Sequence, residues 1–128
     1  MATKITLGAR PKSFKSSVKF PMLDGTTGVI EIGFRYRTRK EFGLFIDELV
    51  GQSEENTRPD GEKFSLAANT EKTAKANADY IMQCVDSWNV DADLTHENVE
   101  QLAYELPAAA AAIMECYRAA IEDGRVKN

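Results

Sequence analysis

The chain has 128 residues, a mass of 14.2 kDa, 43% hydrophobic and 28% charged residues, which is the size and mixture of one compact soluble domain spanning 1–128. Folding a chain of this mass removes roughly two-thirds of its extended surface from water, so packing can hold it without a disulfide or metal framework. The net charge of −4 conceals a division: residues 1–40 carry nine Lys/Arg against two acids, net +7, and residues 41–128 carry seven against eighteen, net −11. Such asymmetry points to an interaction surface without naming the partner.

No apolar run approaches the roughly eighteen residues of a membrane span, and Met1 to Lys12 lacks the apolar centre of a secretory signal. The chain reads as cytoplasmic. Cys84 and Cys116, separated by 31 intervening residues, sit in helix-patterned segments outside any CxxC or Cys/His cluster, and read as reduced core thiols.

A β-hairpin is predicted over 12–37. Phe14, Ser16, Val18 and Phe20 alternate with Lys15, Ser17 and Lys19, and Ile30, Ile32, Phe34 and Tyr36 alternate with Val29, Glu31, Gly33, Arg35 and Arg37. Pro21 should end regular pairing in the first strand. A two-residue Asp24-Gly25 loop would set Lys19 opposite Ile30 and mix the faces, so an odd-numbered loop, Asp24-Gly25-Thr26, is expected. It pairs Phe20 with Ile30, Val18 with Ile32 and Phe14 with Tyr36, and it places Lys19 beside Glu31. On the polar face Lys15, Lys19, Arg35 and Arg37, continued by Arg39 and Lys40, form a basic patch, and these six are the candidate binding residues. The same pattern would also serve an edge strand protected by charge against aggregation.

Thr38-Arg39-Lys40-Glu41 has the form of a capping box, so a helix is predicted over 38–50 with Phe42, Phe45, Ile46, Leu49 and Val50 as its apolar stripe. Gly51 is expected to end it in a left-handed cap. Residues 51–64, with Pro59 and Asp60-Gly61, read as a loop. Helical pattern resumes after Ser65 or Asn69 and fills 65–124. One stripe holds Ala74, Ala78, Ile81, Val85 and Trp88. A helix capped by Thr95 carries Val99, Leu102, Ala103 and Leu106. A last helix enters through Pro107, buries Ile113, Tyr117 and Ile121, and ends at Gly124. A hairpin followed by about four helices is an α+β fold, with helices packed against a small antiparallel sheet.

No catalytic, cofactor-binding or metal-binding constellation emerges. His96 is the one histidine, and it stands beside Glu97 without a second histidine or a patterned cysteine. Asp91-x-Asp93-x-Thr95 opens like a calcium loop, but His96 replaces the glycine of position six and Leu102 the glutamate of position twelve. A glycine-rich phosphate loop and a GxSxG elbow are absent. The helical spacing of Trp88 and Tyr117 assigns both to the core, and Tyr36 shares the apolar face with Phe34 although arginines flank it.

The succession Trp88-Asn89-Val90-Asp91, Leu94-Thr95-x-Glu97-Asn98-Val99-x-x-Leu102, Leu106-Pro107-Ala108-Ala109-Ala110-x-x-Ile113, Tyr117-Arg118-Ala119-Ala120 and Gly124-Arg125-Val126-Lys127-Asn128 resembles the tail assembly chaperones of long-tailed bacteriophages. The block Arg35-Tyr36-Arg37-Thr38-Arg39-Lys40-Glu41-Phe42 resembles that family's strand-to-helix junction. The resemblance implies a non-enzymatic phage or prophage protein of the host cytoplasm that holds the tape measure protein before the tail tube polymerises, and that is absent from the mature virion. It also implies a longer frameshifted product that recruits tail tube protein. Consecutive Lys127 and Asn128 codons can form a slippery run, so this chain would be the short form.

Three surfaces are candidates for helical partners or self-association: the small-residue faces around Ala74 and Ala78, those of Ala108 to Ala112, and the basic hairpin against the acidic helices of another copy. The alternatives are a small basic-patch nucleic-acid-binding module or another minor tail component, a terminator or connector.

Overall fold

Alternation in the first third produces two long strands, β1 (Ser13–Pro21) and β2 (Thr27–Arg35), in a computed structural model that describes residues 7, 8, 10–55 and 65–124. They pair antiparallel with Phe14 opposite Phe34, Ser16 opposite Ile32, Val18 opposite Ile30 and Phe20 opposite Gly28. The expected loop parity holds, so the apolar and polar faces are those anticipated. The register is nevertheless displaced by two residues from Phe20–Ile30, Val18–Ile32 and Phe14–Tyr36.

The reason lies at Gly28. A Cβ there would stand 2.6 Å from two ring atoms of Phe20 and 2.8 Å from Met22 Sδ, so the aromatic ring occupies the space that a side chain would take. The loop is therefore five residues long. The Met22 amide donates to Thr26 O at 2.8 Å, the Gly25 amide donates to Met22 O at 3.1 Å, and Gly25 takes φ 88°. Asp24 Oδ1 accepts from the Thr26 amide at 3.0 Å, and the Thr26 hydroxyl together with that amide holds the carboxyl below its usual range. Ser17, in place of Lys19, faces Glu31, and Lys19 faces Val29.

The capping box forms as expected: the Thr38 amide donates to Glu41 Oε1 at 2.8 Å and the Glu41 amide to Thr38 Oγ1 at 3.2 Å. It starts α1 (Arg39–Glu55), whose Phe42 and Phe45 are buried. Gly51 does not end this helix. It has no positive φ, and the helix runs on to Glu55, so residues 51–55 are helical where a loop was expected. The rest of that expected loop, 56–64, lies outside the described residues.

Ser65 caps α2 (Leu66–Cys84), its side chain accepting from the Ala68 amide at 3.2 Å. The helix then gives way to β3 (Val85–Trp88), which pairs antiparallel with β2 and makes a three-stranded sheet in the order β1-β2-β3. The hairpin-only sheet is thus corrected, and the physical cause is a bulge. Ile32 faces Trp88, Gly33 faces Ser87 and Phe34 faces Val85, which leaves Asp86 as the extra residue. Two residues opposing one put Val85 and Trp88 on the same side of the sheet although they are three apart, a spacing that imitates a helix.

Thr95 caps α3 (His96–Glu105) by accepting from the Asn98 amide at 3.2 Å, and Pro107 opens α4 (Pro107–Asp123), which ends at Gly124 with φ 67°. The helices lie on the apolar face of the sheet: α4 crosses β1, α2 packs on α3 and α4, and α1 touches α4. At the centre is Tyr117, with 0% exposure, its ring centroid 5.3 Å from Phe34, 5.8 Å from Phe42, 6.2 Å from Phe14 and 6.4 Å from Tyr80. Burial of each such ring contributes on the order of 1.5–3 kcal/mol. The α+β class holds, with helices covering one face of the sheet and no helix on the other among the described residues.

Candidate interaction surfaces

Strand alternation places Lys15, Lys19 and Arg35 on the open face of the sheet, all exposed. Arg39 and Lys40 are exposed in the first turn of α1. Arg37 does not join them. β2 ends at Arg35, so alternation no longer governs position 37, and its side chain turns inward.

The Arg37 guanidinium stands 4.3 Å over the Phe45 ring, and its Nη1 donates to the Tyr117 hydroxyl at 3.0 Å and to Cys84 Sγ at 3.5 Å. That one cation joins the end of β2 to α1, α2 and α4. Burial pushes both the Cys84 thiol and the Tyr117 phenol up to about 12, Arg37 acting against burial in each case. A thiol so raised is protonated near neutrality and is a poor nucleophile. Cys84 is buried and Cys116 half-buried, both are free, and Cys116 Sγ lies 3.1 Å from the Ser16 hydroxyl.

No group of three or more His, Cys, Asp and Glu that could hold a metal occurs among the described residues. The exposed His96 places Nε2 2.7 Å from Asp79 Oδ1 and Nδ1 3.7 Å from Glu100 Oε2, a surface link between α2 and α3. Asp93, the would-be calcium ligand, gives its carbonyl oxygen to the Thr95 amide at 3.0 Å and the Asn98 side-chain amide at 2.8 Å. Its main chain serves the entry into α3.

The small-residue faces expected to receive a partner are consumed inside the fold. Ala74, Ala78, Ala109 and Ala110 are buried in the core, and only Ala111 of that alanine run is exposed. Among the described residues, exposed large apolar side chains are scattered over Leu7, Leu23, Val29, Leu66 and Tyr104, and α1 carries two more. Val50 is 51% exposed and stands beside half-buried Ile46 and exposed Gly43 at helical spacing, while Leu44, 62% exposed, projects from another side.

Next to Gly43 and Ile46 lies a groove of about 480 Å³, lined also by Phe42, Arg39, Lys40 and, from α4, Glu122. A second groove, of about 420 Å³, is lined by Phe14, Tyr36, Arg39, Ala120, Ile121 and Gly124 among others. At the same helix start the Arg10 guanidinium pairs with Glu41 at 2.7 Å and sits 5.2 Å from the Tyr36 ring centroid. The Glu41 carboxyl is held below its usual range, first by the Thr38 amide and then by Arg10. The start of α1 therefore joins two grooves with apolar side chains in their linings, and in the first of them Arg39 and Lys40 share the charged lining with Asp47 and Glu122.

A family model described as phage tail assembly chaperone matches residues 1–128, the whole chain. The chain belongs to the phage tail assembly chaperone family. Comparison with curated proteins and with solved structures finds no match. Sequence reasoning located five of the six cations on the exterior and missed the inward turn of Arg37, for which the end of β2 gives no local signal.

Proposed function

We propose that this chaperone acts without catalysis by holding the tape measure protein in the host cytoplasm until the tail tube assembles around it. The family match over the whole chain is the observation that carries this reading. A protein that is long, helical and apolar along one side needs a partner offering apolar surface to amphipathic helices. The groove on α1, lined by Phe42, Gly43 and Ile46, with exposed Val50 one turn further along the same side of the helix, has that chemistry, and the charges of Arg39, Lys40, Asp47 and Glu122 can pair with charged flanks. A longer product carrying this domain would present the same groove while recruiting tail tube protein.

The test is co-expression with the tape measure protein of the same phage, followed by co-purification. Val50→Glu, which charges the groove side of α1, should reduce recovered complex about tenfold, whereas Leu44→Glu on the other side should leave it intact. Equal recovery from both variants, each folded by circular dichroism, would remove the groove from the reading. Loss of tape measure binding by the wild-type chain would remove the reading itself.

A further inference from the structure

The two grooves that meet at the start of α1 differ in charge. The first sets Asp47 and Glu122 against Arg39 and Lys40, whereas the second has Arg37 and Arg39 in its lining and no carboxylate side chain among the described residues. Neither arginine has an ion-pair partner among the described residues. Nη1 of Arg37 donates to the Tyr117 hydroxyl and to Cys84 Sγ, groups that burial keeps neutral near neutrality, and its Nε and Nη2 make no hydrogen bond among the described residues. Glu41, at the same helix start, is already held by Arg10 and the Thr38 amide. A half-buried guanidinium with neutral partners alone carries a desolvation cost that an incoming anion would offset.

The walls of this second groove are apolar and held in place. The Phe14 ring stacks on Tyr117 with 10° between planes, Ile121 belongs to the buried core, and Tyr36 is fixed by its amide bond to Lys12 O at 3.0 Å and by Arg10 over its ring. At about 420 Å³ the groove lies at the small end of ligand pockets, which run roughly 300–1,000 Å³, so it has room for one or two residues and not for a helix. The planar fork of arginine suits a carboxylate, which it meets in two parallel hydrogen bonds. A chain passing through would have to bury amides and carbonyls on both sides of its acidic residue. A chain end has backbone on one side alone, and its carboxylate stands next to its own last side chain. The stretch after Gly124, Arg125-Val126-Lys127-Asn128, adds two cations, so charge selects against it as the occupant.

We propose that the groove lined by Phe14, Tyr36 and Ile121 is a binding site for the carboxylate end of a partner polypeptide whose last residue is bulky and apolar, the carboxylate taken by Arg37 and Arg39 and the side chain by the apolar walls. The site adds to helix docking along α1 and does not rest on it, although Arg39 borders both grooves.

The probe is acetyl-Gly-Ser-Gly-Leu with a free carboxylate, titrated into the full chain and followed by amide NMR signals. The controls are the same peptide ending in an amide, acetyl-Gly-Ser-Gly-Gly with a free carboxylate, and acetyl-Gly-Leu-Glu-Gly-amide. The free acid should bind and shift the signals of Tyr36, Ala120 and Ile121 while those of Asp47 and Val50 stay in place. Each control should bind about tenfold more weakly, since one lacks the charge, one the apolar side chain and one the chain end. Arg39→Gln should weaken the free acid about fivefold. Lys75→Gln, which removes the same charge from α2, should leave it unchanged. Both positions are exposed, so neither variant removes a core contact.

Equal binding of the free acid and its amide would overturn the proposal by reducing the contact to apolar burial. Equal binding of the internal glutamate peptide would overturn it by making any partner carboxylate sufficient. So would an affinity indifferent to Arg39→Gln, signals that move at Asp47 and Val50 in place of Tyr36 and Ile121, or no binding by the wild-type chain at millimolar peptide. A dimer that excludes the peptide and dissociates in Arg39→Gln would make a second copy the occupant and equally overturn it.

Discussion

Arg37 Nη1 lies 3.0 Å from the Tyr117 hydroxyl oxygen, and that hydroxyl donates onward to the carbonyl oxygen of Arg35 at 2.9 Å. The phenol thus accepts from a side chain and donates to the main chain two residues earlier, fixing the exit of β2 against α4. Tyr117→Phe keeps the ring contacts and removes both bonds. It should destabilise the fold by about 1–3 kcal/mol, because the Arg35 carbonyl and the Arg37 guanidinium are each left short of a partner. Arg37→Lys should not substitute, since a lysine ammonium lacks the planar stack on Phe45. Urea denaturation of the two variants measures this; a Tyr117→Phe midpoint equal to wild type would refute the role assigned to the hydroxyl.

Burial raises Tyr117 from its usual 10.0, and Cys84 from its usual 9.0, to about 12. The folded state therefore holds the neutral forms, while the unfolded chain releases those protons at lower pH. The stability this contributes is complete below about pH 9 and is lost as pH rises toward about 12. Urea midpoints should fall between about pH 8 and about pH 11, and Cys84→Ala should show a shallower fall over that range. In the native protein Cys84 should also react with thiol reagents far more slowly than after denaturation. Rapid native labelling of Cys84 would contradict its protection.

Gly33 is the residue that two others oppose. A Cβ there would collide with Ser87 Oγ and come within 2.6 Å of Asp86 Oδ1, while Ser87 Cβ would remain at 3.6 Å. Both atoms that intrude are ends of mobile side chains. Gly33→Ala should therefore cost only about 1 kcal/mol and Gly33→Val about 2–3 kcal/mol, since the larger side chain must displace β3 itself. Ser87→Gly should recover part of the Gly33→Ala loss, and additivity in the double variant would refute the direct contact.

These relations mark where the sequence is legible. Caps are local chemistry, so Thr38 with Glu41, Ser65, Thr95, Pro107 and Gly124 announce helix ends that the structure reproduces. Face assignment in the hairpin is also local, because it depends on parity alone. Register depended on a packing event, the Phe20 ring over Gly28, that pairwise matching of apolar residues does not anticipate. β3 was hidden because its bulge brings Val85 and Trp88 to one side at helical spacing. Gly51 misled for a different reason: a glycine permits a left-handed cap without requiring one, and α1 continues through it. The cationic surface was readable except at Arg37, where the strand ends before the pattern does.

Gly43 gives the sharpest test of the α1 groove. A Cβ at this position would meet nothing within 4 Å, so the fold has no steric need for glycine there. In an exposed helix interior glycine is less favourable than alanine by about 0.5–1 kcal/mol, and Gly43→Ala should stabilise the isolated chaperone by that amount. A glycine retained at such a cost fits close approach of a partner helix to the α1 backbone at the groove floor. Gly43→Leu is then the discriminating variant: it should leave the isolated protein folded, yet fill the groove and reduce tape measure co-purification about tenfold. Undiminished complex with a folded Gly43→Leu variant would place the partner elsewhere, whereas stabilisation by alanine joined to loss of complex with leucine would tie this residue to the interface.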